Sequence, residues 1–234
     1  MSKIKILTLY IGNPSIDRAK IQAQWIENRS EDVFILTETK SSKGCDYISD
    51  YFQQNEISLF SLNTASPYNV FFPKSMTGDL GVMIISKLPI TNTYSMFNKE
   101  NAFFSRFAGC DLNLNGNTIR LIGLYVPSRD RSPEKINRKK TFCVDVANHI
   151  KSLDKEKCII CGDFNILDRN HIPHYNTFFE WEYAFYDFFY KNSYIDTFKL
   201  CHPDVIEYSW VGRTDDGYRY DFFCEQSNGT KHNQ

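Results

Sequence analysis

Cys158-Ile159-Ile160-Cys161-Gly162-Asp163-Phe164-Asn165 is an apolar run that stops in a glycine, a carboxylate and a carboxamide. Four apolar residues closed by a turn signal read as a short buried strand. A carboxylate at the end of such a strand is costly unless it is paired or binds a cation. The pattern recurs along the chain. Val33-Phe34-Ile35-Leu36 runs into Thr37-Glu38-Thr39-Lys40, and Asp221 lies inside Tyr218-Arg219-Tyr220-Asp221-Phe222-Phe223. Hard oxygen ligands of this kind suit magnesium, which takes one or two carboxylates and leaves positions for water and phosphate.

Outward from these runs, strands are predicted at Ile4–Ile11, Ile57–Leu62, Gly81–Ser86, Phe103–Leu112, Thr118–Val126, Tyr208–Val211 and Tyr218–Cys224. Leu114-Asn115-Gly116-Asn117 carries an Asn-Gly hairpin signal, and Asn228-Gly229 marks a late turn. Helices are predicted from Pro14-Ser15, over Asp46–Gln54, from Ser132-Pro133-Glu134 to Leu153, and over Phe178–Lys191. Many strands, few long helices, and hairpins mixed with crossovers predict an α/β protein: a four-layer sandwich of two packed mixed sheets with helices outside. The 234 residues fit one domain, 1–234.

Composition is that of an ordinary globular chain, with 42% hydrophobic and 24% charged residues. The net charge of −1 argues against a protein that coats nucleic acid by bulk basicity. Charge is uneven, however. Residues 127–157 hold nine Lys/Arg against five Asp/Glu, and residues 180–225 hold four against ten. Arg129, Arg131, Arg138, Lys139 and Lys140 form either a phosphate-facing patch or a solvated helix face. No membrane span or secretion signal is visible, so the protein is expected to be cytoplasmic. Seven scattered cysteines argue against a disulfide framework, and the Cys158/Cys161 pair reads as buried thiols. His171 and His174 have metal-pair spacing, but Pro173 and the lack of a third ligand favour a loop.

Taken in order, these segments resemble the endonuclease/exonuclease/phosphatase superfamily, which includes exonuclease III, apurinic endonucleases and deoxyribonuclease I. Asp32–Lys40 is similar to the strand that delivers a metal-binding Glu. Gly81-Val82-Met83-Ile84-Ile85-Ser86-Lys87 resembles a Gly-Val-Ala-Ile-Leu-Ser-Lys strand, and Leu124-Tyr125-Val126-Pro127 a Tyr-Val-Pro segment. Gly162-Asp163-Phe164-Asn165 resembles the Gly-Asp-Phe-Asn signature. Asp196-Thr197-Phe198 with His202-Pro203, Tyr208-Ser209-Trp210 and Arg219-Tyr220-Asp221 resemble the C-terminal third.

The resemblance implies a hydrolase, a divalent-metal-dependent phosphodiesterase and nuclease acting on DNA or RNA. Glu38 is implied as the ligand of Mg²⁺ or Mn²⁺, and Tyr125 as a phosphate contact. Asp163 is implied as the group that orients or deprotonates the attacking water, and Asn165 as a donor to a phosphoryl oxygen. Asp221 is implied as the partner that orients a catalytic histidine. Trp210 and Arg106 are candidate substrate contacts. Two departures stand beside these roles. Tyr10 occupies the place of a usual Asn and is retained only as a candidate phosphate contact. The family's closing Ser-Asp-His segment is not found after Asp221. Alternative readings are therefore a phosphatase or phosphodiesterase of small or lipid phosphates, and an inactive binding module completed by a partner chain.

Overall fold

The computed structural model describes residues 3–53, 68–153 and 158–226. The strand expected at Ile57–Leu62 and the turn at Asn228-Gly229 lie outside the described residues. The chain divides into two compact units, Met1–Tyr125 and Val126–Gln234.

The first unit runs β1 (Ile6–Tyr10), α1 (Ile16–Glu27), β2 (Val33–Thr39), α2 (Lys43–Gln53), β3 (Asn69–Phe71), β4 (Gly81–Ser86), β5 (Ile90–Tyr94), β6 (Phe107–Leu114) and β7 (Asn117–Tyr125). One sheet has the order β1-β2-β4-β3. Its β1 and β2 are parallel, as the crossover through α1 requires, and β2, β4 and β3 pair antiparallel. A second sheet contributes the antiparallel run β5-β6-β7.

Alternation sorts the two faces of β2 and β4. Phe34, Leu36, Met83 and Ile85 join Ala19, Ala23, Ile26, Ile48 and Phe52 in a core under α1 and α2. Ile35 and Val82 face the other way, where Gly123 of β7 lets the second sheet close in. A Cβ at Gly123 would stand 2.8 Å from Val82 and 3.1 Å from Ile35. This is the sandwich packing read from the sequence, with helices outside and side chains interdigitating between sheets. Ser15 caps α1, accepting from the Arg18 N–H at 3.4 Å. Asn115 and Gly116, at φ 53° and 82°, make the expected hairpin turn.

The second unit runs α3 (Pro133–Ser152), β8 (Cys158–Asp163), α4 (Glu180–Lys191), β9 (Tyr194–Asp196), α5 (Thr197–Cys201), β10 (Trp210–Val211), β11 (Gly217–Tyr218) and β12 (Asp221–Gln226). The strands β8, β12 and β9 form an antiparallel run in that order. Phe164 is fully buried and packs edge-on against Phe189 of α4 and Phe222 of β12, both at 5.3 Å between ring centres. Cys158 and Cys161 are buried in β8. Among the described residues no helix is long and apolar enough to cross a membrane.

Boundaries differ from expectation: α2 starts at Lys43 rather than Asp46, β10 holds only Trp210–Val211 of the expected Tyr208–Val211, and three further differences bear on the site. Residues 104–106 form a 3₁₀ turn, so β6 starts only at Phe107. The strand expected to run through Tyr218–Cys224 breaks into β11 and β12. The Ser209 hydroxyl takes the N–H groups of Tyr220 (2.9 Å) and Asp221 (3.1 Å), which strand pairing would otherwise use. The aromatic helix begins at Glu180 rather than Phe178, because Glu182 folds back to accept the Phe179 N–H at 2.9 Å and ends the helix there.

The glycines provide a test of this packing. A Cβ at Gly44 would lie 1.8 Å from the Pro14 carbonyl oxygen, whereas one at Gly116 meets nothing within 4 Å but sits at φ 82°. Gly116→Ala is expected to cost about 1 kcal/mol from backbone strain alone. Gly44→Ala is expected to cost about 3 kcal/mol or more, because backbone cannot move aside as a side chain can. Urea unfolding of the two variants reads this, and equal costs would contradict the contact of α2 with the Pro14 turn.

Candidate active site

The first unit carries one group of candidate residues, at the end of β2. Thr37 pairs with Val82 and Thr39 with Gly81, so the register shifts around Glu38. Glu38 is the extra residue of a bulge, and its φ is 56°. A bulge at a strand end re-aims a side chain that alternation would have placed elsewhere. Left-handed backbone at a non-glycine residue costs about 1–3 kcal/mol and persists only where neighbours enforce it. Here the Glu38 carbonyl accepts the Asn13 N–H at 2.9 Å, and the Thr37 carbonyl accepts the Ile11 N–H at 3.1 Å. Asn13 is itself pinned, its Oδ1 accepting from the Ser42 hydroxyl at 2.7 Å.

The Glu38 carboxylate is met by Tyr125 at the end of β7, whose hydroxyl donates to Oε1 at 2.8 Å. Behind Tyr125 lies Arg106. Its guanidinium stands 4.8 Å from the centre of the Tyr125 ring, and its Nη1 donates to the Tyr125 carbonyl at 3.3 Å. Arg106 is 5% exposed and faces Asp79 at 3.6 Å. It was expected to contact substrate; the fold instead turns it inward, where it backs Tyr125. Tyr10 ends the edge strand β1, opposite Thr37, and is 59% exposed.

The second unit carries its own group of candidate residues, at the end of β8. Gly162 has φ 132° and Asn165 φ 48°. Between them Phe164 is the buried anchor, so Asp163 and Asn165 flank it. Asp163 Oδ1 accepts the Asn165 N–H at 2.9 Å, and the Asp163 carbonyl accepts the Val126 N–H at 2.9 Å. The Asn165 carboxamide donates from Nδ2 to the Val126 carbonyl at 3.0 Å. Asp221 is the register partner of Asp163 on β12. Directly opposed residues of an antiparallel pair share a face, so the two carboxyls are neighbours.

Burial pushes the Asp221 carboxyl up to about 6, against the Ser209 hydroxyl and the Arg219 charge, which pull it down. Ser209 is thus a site residue to which sequence reading attached no role, although it stands beside the Trp that drew attention. Trp210 is 51% exposed on β10. Its ring adjoins Tyr218 at 5.4 Å and Tyr220 at 6.2 Å, and Tyr218 stacks on Tyr175 at 4.4 Å. His171 lies in a loop. Its Nδ1 is 2.9 Å from the Pro173 carbonyl and its Nε2 accepts the Arg219 N–H at 3.3 Å. His174 stacks on Tyr183 instead.

The position of Asp221 sets a pH dependence. Its folded-state value of about 6 lies above the ordinary 3.8, so the folded chain holds this proton more tightly than the unfolded chain. Its contribution favours folding most below the ordinary value and is lost as pH rises through about 6. Asp221→Asn removes that loss. Its stability relative to wild type is expected to improve by about 3 kcal/mol at most between pH 4 and pH 7.5. Urea unfolding at both pH values checks this, and a pH-independent difference would contradict the burial argument.

No protein-family model matches the chain, and no curated protein matches its sequence. Solved structures do match its fold. An AP endonuclease from Archaeoglobus fulgidus is 20% identical, with a TM-score of 0.76 over 96% of this chain and 87% of that one. The 3′ phosphatase NExo from Neisseria, bound to product DNA hairpin, is 16% identical, with a TM-score of 0.72 over 96% and 87%. The AP endonuclease LMAP from Leishmania major is 17% identical, with a TM-score of 0.68 over 96% and 79%. At these identities the shared property is the backbone. Its two sheets with helices outside are the fold of the endonuclease/exonuclease/phosphatase superfamily, which this chain shares.

Proposed function

We propose that the chain is a divalent-metal-dependent phosphodiesterase, a nuclease that hydrolyses DNA or RNA and leaves a 5′-phosphate and a 3′-hydroxyl. The carrying observation is that Glu38 and Asn165, each closing a buried strand, both stand in left-handed backbone, at φ 56° and 48°. Strain of this kind is retained at positions where a side chain must be aimed.

Among the described residues no cluster of three or more His, Cys, Asp or Glu side chains forms a closed metal cage. One carboxylate suffices for Mg²⁺ or Mn²⁺, which keep most of their waters and share substrate phosphate. Glu38 fits that mode, with one oxygen held by Tyr125. Bound there, the ion supplies Lewis-acid polarisation of a phosphoryl oxygen. The chain's own groups do the rest. Asp163 accepts the proton of the attacking water on its carboxylate, which the Asn165 N–H orients. The Asn165 carboxamide donates to a phosphoryl oxygen, where negative charge develops. Tyr125 fixes the Glu38 carboxylate by donating its one hydroxyl proton to Oε1, and its phosphate contact follows when the ion takes over that oxygen. Asp221, half-way to neutral near pH 6, is placed to hold a proton beside Asp163. Exposed Trp210 and Tyr10 are surfaces on which a base or sugar stacks.

The cytoplasmic location and the single-domain reading belong to the same proposal. The test is cleavage of end-labelled DNA and RNA oligonucleotides with Mg²⁺ or Mn²⁺, run beside a panel of small phosphate esters. Asp163→Asn and Glu38→Ala are each expected to lower kcat by about 10²–10⁴-fold. Equal cleavage by wild type and both variants would overturn the assignment. Turnover of small esters alone would move it to the phosphatase reading.

A further inference from the structure

The basic run of α3 splits on folding. Lys140 stays exposed, while Lys139 is buried at 1% exposure. Its ammonium Nζ donates to Glu182 Oε1 at 2.6 Å and to the Asn165 carbonyl oxygen at 2.6 Å. Glu182 is itself 0% exposed, and its second oxygen accepts from Arg129 Nε at 3.1 Å and from Arg129 Nη2. Arg129 also holds the Thr177 carbonyl at 2.7 Å. A buried ion network of this sort adds little stability over an apolar core of the same volume. Stability alone therefore does not account for carrying two cations and a carboxylate into the interior.

What the network does geometrically is hold one peptide. Asn165 is fixed at three points. Its N–H goes to Asp163, its carboxamide to Val126, and its carbonyl to the Lys139 ammonium. The third is the only cationic tether of the three, and it acts on a residue held at a φ of 48°. The ammonium is in turn locked by Glu182, which α4 presents from its first turn and which Arg129 and the Phe179 N–H hold in place. A cavity of about 190 Å³ opens over this group, lined by Arg129, Lys139, Asn165, Phe178 and Tyr220 among others. The tether thus lies at the wall of an open cavity.

We propose that Lys139, locked by Glu182 and Arg129, is a positioning residue for Asn165: it holds the 165 peptide in left-handed backbone so that the carboxamide faces phosphate. This rests on the phosphodiesterase reading for the role of Asn165. A residue that acts through another loses its effect when that other is removed, whereas a purely structural residue does not. The experiment is a double-mutant cycle of Lys139→Met with Asn165→Ala, with kcat and KM measured on a labelled oligonucleotide below each variant's melting temperature. In the Asn165 background Lys139→Met is expected to lower kcat by about 10-fold or more with KM within about 3-fold, and in the Asn165→Ala background to change kcat by less than about 3-fold. Equal losses in both backgrounds overturn the proposal. Should Lys139→Met not fold, the isosteric Glu182→Gln, which weakens the lock without removing the ammonium, is cycled with Asn165→Ala under the same criterion. Should the wild type cleave nothing, the functional reading fails, and the positioning claim is read separately. The Asn165 side-chain amide signal in a ¹⁵N–¹H spectrum is expected to move in Lys139→Met and to stay in Lys151→Met, an exposed position on the same helix. An unmoved signal in Lys139→Met overturns it.

Discussion

Glu38 and Asp163 stand where buried strands run out, and the chain must there turn polar groups away from an apolar interior. Unpaired burial of a carboxylate is among the costliest things a fold can do. Both strands meet the constraint in the same way. The backbone leaves the extended region, at Glu38 itself and at Gly162 and Asn165 around Asp163. The released groups are then held by specific bonds, Tyr125 on Glu38 and the Asn165 N–H on Asp163. The apolar partners make this possible: Phe34 and Leu36 fix β2 under its helices, and Phe164 fixes the turn after β8. Without such anchors a non-glycine residue at positive φ would relax to the ordinary basins at a gain of about 1–2 kcal/mol.

The second unit shows how environment assigns opposite fates to two buried carboxyls. For both, burial works to disfavour the charge. Glu182 has the Arg129 fork, the Lys139 ammonium and the Phe179 N–H, and these win, holding it below the usual carboxylate range. Asp221 has the Ser209 hydroxyl and the Arg219 charge, which do not suffice, and it ends near 6. One acid is a permanent anion that locks a lysine. The other is a group whose proton is available near neutrality, set opposite Asp163 in the strand pair.

The sequence displayed the strands that are buried on both faces, because continuous apolar runs such as Val33–Leu36 and Gly81–Ser86 are short, β-branched and bounded by turn signals. It displayed the Asn-Gly hairpin and the acids at strand ends for the same local reason. It did not display β5, Ile90–Tyr94, whose middle residues are exposed and polar and so carry no alternation. Nor did it show that β11 and β12 would part, since that depends on a hydroxyl ten or more residues away capturing two N–H groups. Lys139 and Lys140 are adjacent and chemically identical in sequence. Only the helical phase against α4 tells the buried one from the exposed one. Arg106 was legible as a cation near the site, but not as one that would face Tyr125 from behind. That direction is set by packing against Tyr125 and Asp79, residues distant in sequence.

The account's central claim is that Glu38 is aimed to hold a divalent cation. Electron paramagnetic resonance titration of Mn²⁺ against wild type and Glu38→Gln tests it without any substrate. The account predicts that the wild type depletes the free Mn²⁺ signal at a stoichiometric site and that Glu38→Gln, equal in shape but uncharged, loses that depletion. Depletion of the same extent in both proteins, or none in the wild type, would contradict it.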